Sequence, residues 1–308
     1  MNSYATLGNR LQPVKALAQM PDLRGRVALV TGGTDGLGRQ IVGHLASAGA
    51  TTLLTARNAS KGERVLAECQ LDKTDADIHV IPLDLASLQS VARAADDVLE
   101  RWSRLDLLVC NAAHTPGKSR EETAEGFELT FGVNHLGHAA LVKRLEPLLR
   151  AAVPSRVVVV ASEAHTRTGG GLPFDDLQAE SSYRRSRTYA RSKLANILYA
   201  RELSRRLEGT GVAVYVVHPG GLDTPMMQSH FRSPLGKLMY SPLRRWLFIS
   251  ASDAAAGVLR VGLDPSLPQP SGAYFELGTE KRPHPTALDD AAAGRLWDTT
   301  ESLLLDRA

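Results

Sequence analysis

Two cysteines among 308 residues are too few for a disulfide framework. Cys110 closes the apolar run Leu107-Leu108-Val109 and reads as a buried strand residue, while Cys69 sits in a polar, helix-like stretch. That usage suits a reducing compartment, and the expected location is cytoplasmic. No apolar run reaches the roughly 18 residues that cross a bilayer. Met1 to Met20 has no apolar core of signal-peptide length; its Leu7, Leu11, Val14 and Leu17 suit a short arm packed on the body. A net charge of +3 is too small to indicate a nucleic-acid partner. Low-complexity tracts and solenoid repeats are missing as well. Hydrophobic residues at 43% and charged residues at 22% are ordinary for a folded soluble chain, which excludes a disordered or fibrous one.

What is present is alternation. Short, almost continuously apolar runs at Val27–Val30, Thr51–Thr55, Ile78–Ile81, Leu107–Cys110, Arg156–Val160 and Val212–Val217 suit strands buried on both faces of a parallel sheet. Between them lie helix-period segments at Gly38–Ala48, Lys61–Gln70, Ser87–Arg101, Phe127–Arg150 and Ser192–Leu207. Repeated β-α-β units with right-handed crossovers predict an α/β fold. The expectation is a doubly wound parallel sheet of Rossmann type in three α/β/α layers, with strand order 3-2-1-4-5-6 and an edge strand near Ala273–Glu276. One domain spans residues 1–308, with an N-terminal arm at 1–24 and an inserted lid at 224–250.

The first strand runs into Thr31-Gly32-Gly33-Thr34-Asp35-Gly36-Leu37-Gly38 and then a helix. A strand, a glycine-rich turn and a helix N-terminus together form an anion site, because free N–H groups and the helix dipole meet there. Gly32 allows the tight turn, Gly36 the approach of a pyrophosphate, and Gly38 the close packing of helix on strand. About 20 residues beyond the glycines, an acidic residue would bind the ribose hydroxyl of NAD. Arg57 stands there instead, and a guanidinium suits a 2′-phosphate, so NADP(H) is the expected cofactor.

Tyr189 and Lys193 lie four apart at a helix start and so share a face. A nearby cation favours the phenolate and brings a phenol toward working pH. Ser162 follows the strand Val157–Val160, at the end where open α/β sheets place ligands. Asn134 is embedded in the apolar stretch Phe131–Leu136, where a buried amide must find partners. It reads either as a core amide satisfied by backbone or as the organiser of a proton relay.

Taken in order, these motifs resemble the short-chain dehydrogenase/reductase family, and within it the retinol-dehydrogenase-like branch. The resemblance runs from Asp22 nearly to the end. It is carried by Thr31–Gly38, Arg57, Leu83-Asp84-Leu85-Ala86-Ser87, Cys110-Asn111-Ala112, Asn134-His135-Leu136-Gly137-His138, Ser162, Tyr189–Lys193, His218-Pro219-Gly220 with Thr224, Ser271–Phe275 and Arg295-Leu296-Trp297. It implies that Tyr189 is the acid in reduction and the base in oxidation. Lys193 would bind the nicotinamide ribose, Ser162 would hold the substrate oxygen, and Asn134 would support a water leading from Lys193 to solvent. It also implies that Asp84 and Leu85 meet the adenine and that Asn111, Ala112 and Ala113 line its ribose side. Pro219, Gly220, Leu222 and Thr224 would meet the nicotinamide end. One departure is visible: the family's Asn-Asn-Ala-Gly is here Cys110-Asn111-Ala112-Ala113, and a methyl at Ala113 predicts a small shift of the loop if its φ must be positive.

His114, Glu163 and His165 are expected near the substrate mouth. Met226, Met227 and Phe231 open a segment rich in Met, aromatics and basic residues, read as a lid over a fairly hydrophobic small molecule. A membrane-surface patch is the less favoured reading of that segment, and a homodimer or homotetramer fits the family. Two other functions stay open at this point. One is reduction of a C=C bond, as in light-dependent protochlorophyllide reductase on a similar scaffold; the other is a non-catalytic NADP sensor.

Overall fold

The computed structural model describes residues 14–17, 19–72, 76–221, 249–267 and 272–306. The described strands form one eight-stranded sheet in the order β3-β2-β1-β4-β5-β6-β7-β8. β1 (Val27–Val30), β2 (Thr51–Ala56), β3 (Ile78–Pro82), β4 (Leu107–Cys110), β5 (Ser155–Val160), β6 (Val212–His218) and β7 (Tyr274–Glu276) pair in parallel. The expected order of the first six strands and the edge strand near Ala273 are both present. β8 (Thr279–Lys281) joins antiparallel to β7 and was not foreseen, since three polar residues carry no strand period.

Helices cover both faces. α1 (Gly36–Ser47), α2 (Ala59–Asp72), α3 (Leu88–Arg101), α4 (Leu129–Phe131), α5 (Gly137–Ala151), α6 (Arg185–Arg206), α7 (Ala251–Leu263) and α8 (Asp290–Leu305) follow in chain order. One apolar layer lies under α3, α5 and α6, around Leu53, Leu108, Leu145, Val157 and Leu198. The other lies under α1 and α7, around Val30, Ile41, Tyr215 and Phe275. β5 and β6 are buried at every position, which is why they read as unbroken apolar runs.

α6 begins seven residues before the expected Ser192. Its first two turns are rich in Arg and Ser and show no apolar stripe. Between α4 and α5 lies a single π-turn, Gly132–Leu136, in which the Gly137 N–H reaches back to the Gly132 carbonyl. Helix periodicity over Phe127–Arg150 cannot register one widened turn. Around the described part of the N-terminal segment, the Lys15 N–H donates to the Leu277 carbonyl at 2.8 Å.

Candidate active site

Strand C-termini and the loops after them bring most of the expected residues to one edge of the sheet. In the turn after β1, Gly32 has φ +67° and Gly36 φ +47°, backbone that L side chains adopt poorly. A Cβ on Gly36 would meet nothing within 4 Å, so the space above it is open. A Cβ on Gly38 would stand 2.2 Å from the Gly32 carbonyl oxygen, so α1 seats on the turn only as glycine. Leu37 is buried beneath and Thr34 is half-buried. Asp35 caps α1, its carboxylate accepting the Gly36 N–H at 2.7 Å. Free space over a glycine at a helix start fits the pyrophosphate of a dinucleotide, and Arg57 is exposed just past the end of β2.

The loop after β4 braces this turn. The Asn111 side-chain amide donates to the Thr31 carbonyl at 2.8 Å. The Thr31 hydroxyl accepts the N–H groups of Asn111 at 2.8 Å and Ala112 at 3.0 Å. Ala113 is exposed and is not among the residues with positive φ, so its methyl requires no shift of the loop. Asp84 is half-buried and its carboxylate accepts the Ala86 N–H at 3.0 Å. Leu85 is buried, and α5 starts so close to it that a Cβ on Gly137 would lie 2.5 Å from its carbonyl oxygen.

Asn134 sits in the π-turn and is fully buried. Its oxygen accepts the His114 N–H at 2.6 Å, and its NH₂ donates to the His114 carbonyl at 3.1 Å and to Ser192 Oγ at 3.0 Å. Ser192 Oγ in turn donates to the Tyr189 carbonyl at 2.8 Å. With three of its four hydrogen-bonding positions in use, the Asn134 side chain ties the loop after β4 to the helix that bears Tyr189. His114 is thus pinned by its backbone while its ring stays half-exposed.

Ser162 caps a 3₁₀ turn, Glu163–Arg167, and its hydroxyl lies in hydrogen-bond contact with the Tyr189 phenol. The Tyr189 phenol stands above its ordinary value because burial outweighs that hydrogen bond. The expectation that Lys193 lowers it is not met here. The Lys193 ammonium donates to the Val160 carbonyl at 3.0 Å and lies 5.8 Å from the Tyr189 ring centre. Burial pushes Lys193 itself down to about 8. Glu163 is half-exposed, as a mouth residue would be. His165, expected at the mouth, is instead 2% exposed. Its Nδ1 donates to the Ser162 carbonyl at 2.7 Å and its Nε2 accepts the His284 N–H at 3.2 Å, so it buttresses the serine from beneath.

Past β6, Pro219 is buried and Gly220 has φ +91°. Leu222, Thr224, Met226, Met227 and Phe231, with nearly all of the expected lid, lie outside the described residues. Just before and after them, the Ile249 N–H donates to the Gly221 carbonyl at 2.9 Å.

Comparison with known proteins settles the family. Residues 26–174 match the family model for short chain dehydrogenase. Retinol dehydrogenase 14 of Mus musculus is 38% identical over 295 residues, covering 92% of this chain and 86% of its own. The chain belongs to the short-chain dehydrogenase/reductase family. Within it, the chain falls in the retinol-dehydrogenase-like branch: retinol dehydrogenase 12 of Homo sapiens is 36% identical, over 92% of this chain and 87% of its own. Among solved structures, an uncharacterised protein from Mycobacterium paratuberculosis superposes with a TM-score of 0.73 at 30% identity, over 94% of this chain and 97% of that one. The Pseudomonas aeruginosa RhlG/NADP active-site complex gives 0.66 at 25% identity, over 84% and 97%. This short-chain dehydrogenase/reductase is accordingly a hydride-transfer oxidoreductase that uses a nicotinamide cofactor and a small-molecule substrate.

Proposed function

We propose that the chain moves a hydride between NADP(H) and the carbonyl or alcohol group of a fairly hydrophobic small molecule, with Tyr189 as acid and base. The observation that carries this reading is the convergence of Tyr189, Ser162 and Lys193 at the C-terminal edge of β5, beside an open glycine cradle. Thr31–Gly38 would hold the pyrophosphate, Arg57 the 2′-phosphate, Asp84 and Leu85 the adenine, and Asn111, Ala112 and Ala113 the adjoining ribose. Pro219 and Gly220, with Leu222 and Thr224, would face the nicotinamide. Bound NADPH would supply the hydride to the carbonyl carbon.

The residues then divide the remaining work. Ser162 donates a hydrogen bond to the substrate oxygen and holds it beside the phenol. Tyr189, kept protonated by burial, gives its proton to that oxygen as negative charge develops there. Lys193, whose ammonium donates to the Val160 carbonyl in the cofactor-free site, would hold the nicotinamide ribose. Asn134 keeps the helix of Tyr189 in register with the loop of His114. His114 and Glu163 would border the substrate, with Met226, Met227 and Phe231 above it. Support for NADP(H) over NAD(H) comes from Arg57 and from the NADP complex of a structural neighbour.

The deciding experiment is a panel of all-trans-retinaldehyde, aliphatic aldehydes, ketones and enones, assayed with NADPH and NADH. Carbonyl turnover with NADPH, lowered by about 10²–10⁴-fold in Tyr189→Phe, is the expected result. Turnover confined to enones, or near-normal rates in Tyr189→Phe, would sink it. Arg57→Ala should narrow the preference for NADPH by about tenfold or more, the scale of one charge-assisted contact.

A further inference from the structure

His138 lies one turn beyond Asn134, at the start of α5, and is 6% exposed. Its Nδ1 stands 3.1 Å from the Asn134 carbonyl oxygen. A carbonyl only accepts, so Nδ1 carries the proton. Its Nε2 stands 2.9 Å from Thr31 Oγ1. That oxygen already accepts the N–H groups of Asn111 and Ala112. Both its lone pairs are taken, so it donates its own proton to Nε2 in preference to the Val109 carbonyl at 3.3 Å. Two independent arguments therefore give the same neutral tautomer, and a doubly protonated ring would have no acceptor at Nε2.

The surroundings keep the ring in that state. Burial pushes His138 down to about 4; Lys193 of α6 adds to the effect and the Asn134 carbonyl opposes it. His135, one turn away on the same helical run, is also held neutral by burial. One imidazole thus spans the first residue of the cofactor turn, the brace after β4 and the π-turn that carries Asn134. These three pieces come from positions 31, 111–112 and 134, and the bridge joins the cradle to the helix side of the site.

We propose that His138 is a positioning residue that sets the glycine cradle against the Asn134–Tyr189 side of the site, so that cofactor and proton donor are held in one register. The proposal rests on the NADP(H) reading above, and it acts through Thr31 and Asn134 rather than by touching substrate.

The test compares His138→Leu, which removes both hydrogen bonds, with His138→Gln, whose amide can donate at one end and accept at the other. Three readings are taken: amide hydrogen exchange of the cofactor-free protein, NADPH affinity by nucleotide fluorescence, and turnover of the best aldehyde in the panel. In His138→Leu, exchange should rise at least about tenfold in peptides covering 31–38 and 109–114 while staying level elsewhere. NADPH affinity should fall about fivefold or more and turnover at least about tenfold, the scale of losing two buried hydrogen bonds. His138→Gln should recover all three to within about threefold. If His138→Leu fails to fold, His138→Met, which fills the space without a hydrogen-bonding N–H, takes its place with the same expected readings. Affinity and turnover within about twofold of the parent in His138→Leu would overturn the proposal. So would exchange that rises across the whole chain without rescue by Gln, because that marks a merely structural role. Normal turnover in Tyr189→Phe would sink the chemical reading while leaving the exchange and affinity arms to judge His138.

Discussion

At the start of α1, within the proposed pyrophosphate cradle, the Gly36 N–H is held by the Asp35 carboxylate at 2.7 Å. An anionic cap stabilises a helix N-terminus, and it also competes there with any other anion. Asp35→Asn keeps an accepting oxygen and removes the charge. NADPH should bind several-fold tighter to it at low salt, with the gain shrinking as salt screens the exposed carboxylate; weaker binding to Asp35→Asn in a fluorescence titration would contradict the competition. Lys193 shows the opposite tension. Its pKa is lowered, so between about 8 and the ordinary 10.5 the unfolded chain binds a proton that the native chain does not. Stability climbs with pH through that window, and below it the full cost of burying the charge is present. Lys193→Met should therefore lose turnover yet melt higher at pH 7, by roughly 2–4 °C; a lower melting temperature would show that the bond to Val160 outweighs desolvation. Tyr189, Ser162, Lys193 and the glycines were legible because their spacing is local. The roles of His138 and His165 were not, since their partners Thr31 and His284 lie 107 and 119 residues away.

The last helix shows what a local reading leaves out at the scale of elements. α8 docks on α6 through a stacked Tyr199–Trp297 pair, with centroids 5.1 Å apart and planes 7° from parallel. Arg206 lies over the same indole at 4.4 Å. Nearby, Thr300 meets the buried His135 at 2.8 Å and Lys143 pairs with Glu301. Trp297→Ala should cost about 3 kcal/mol, at the lower end for an aromatic truncation because the indole is half-buried. Chemical denaturation would measure that loss, and turnover of the folded protein should change little, since the contact lies ten residues along α6 from Tyr189. A loss below ~1 kcal/mol would mean that α8 is held mainly by its polar contacts. The strands were readable because burial on both faces leaves an unbroken apolar run, as in β5. α8 carries a readable cap, Asp289, but its short apolar stripe lies among alanines and polar residues. The π-turn has no signature in a period of 3.6.

For the whole molecule, the strand order followed from alternation and crossover handedness alone, and acid should be the condition that takes the fold apart. His135 is pushed down to about 3, and His138 and His218 to about 4, from an ordinary 6.5. Native imidazoles stay neutral where unfolded ones take up protons. The stability they contribute is fully present above 6.5 and drains as pH falls toward 4, by about 1.4 kcal/mol per pH unit for each ring. Unfolding at pH 5 should accordingly take up about three protons at these rings, with more at His114 and His165, which burial also holds down, read from the pH dependence of the unfolding free energy. A flat profile between pH 7 and 5 would mean that these rings find solvent. The hydrogen bond from Ile249 to Gly221 has a consequence of another kind. A chain that leaves and re-enters the frame at one spot can change length almost without thermodynamic penalty, each doubling of a closed loop costing only about 0.6 kcal/mol. The described frame on either side of residues 222–248 thus closes on itself through Gly221 and Ile249. Exchanging residues 222–248 for the corresponding stretch of a relative should shift the unfolding free energy by no more than about 1 kcal/mol, because the clasp that closes the frame stays shut whatever the length of chain between its two ends.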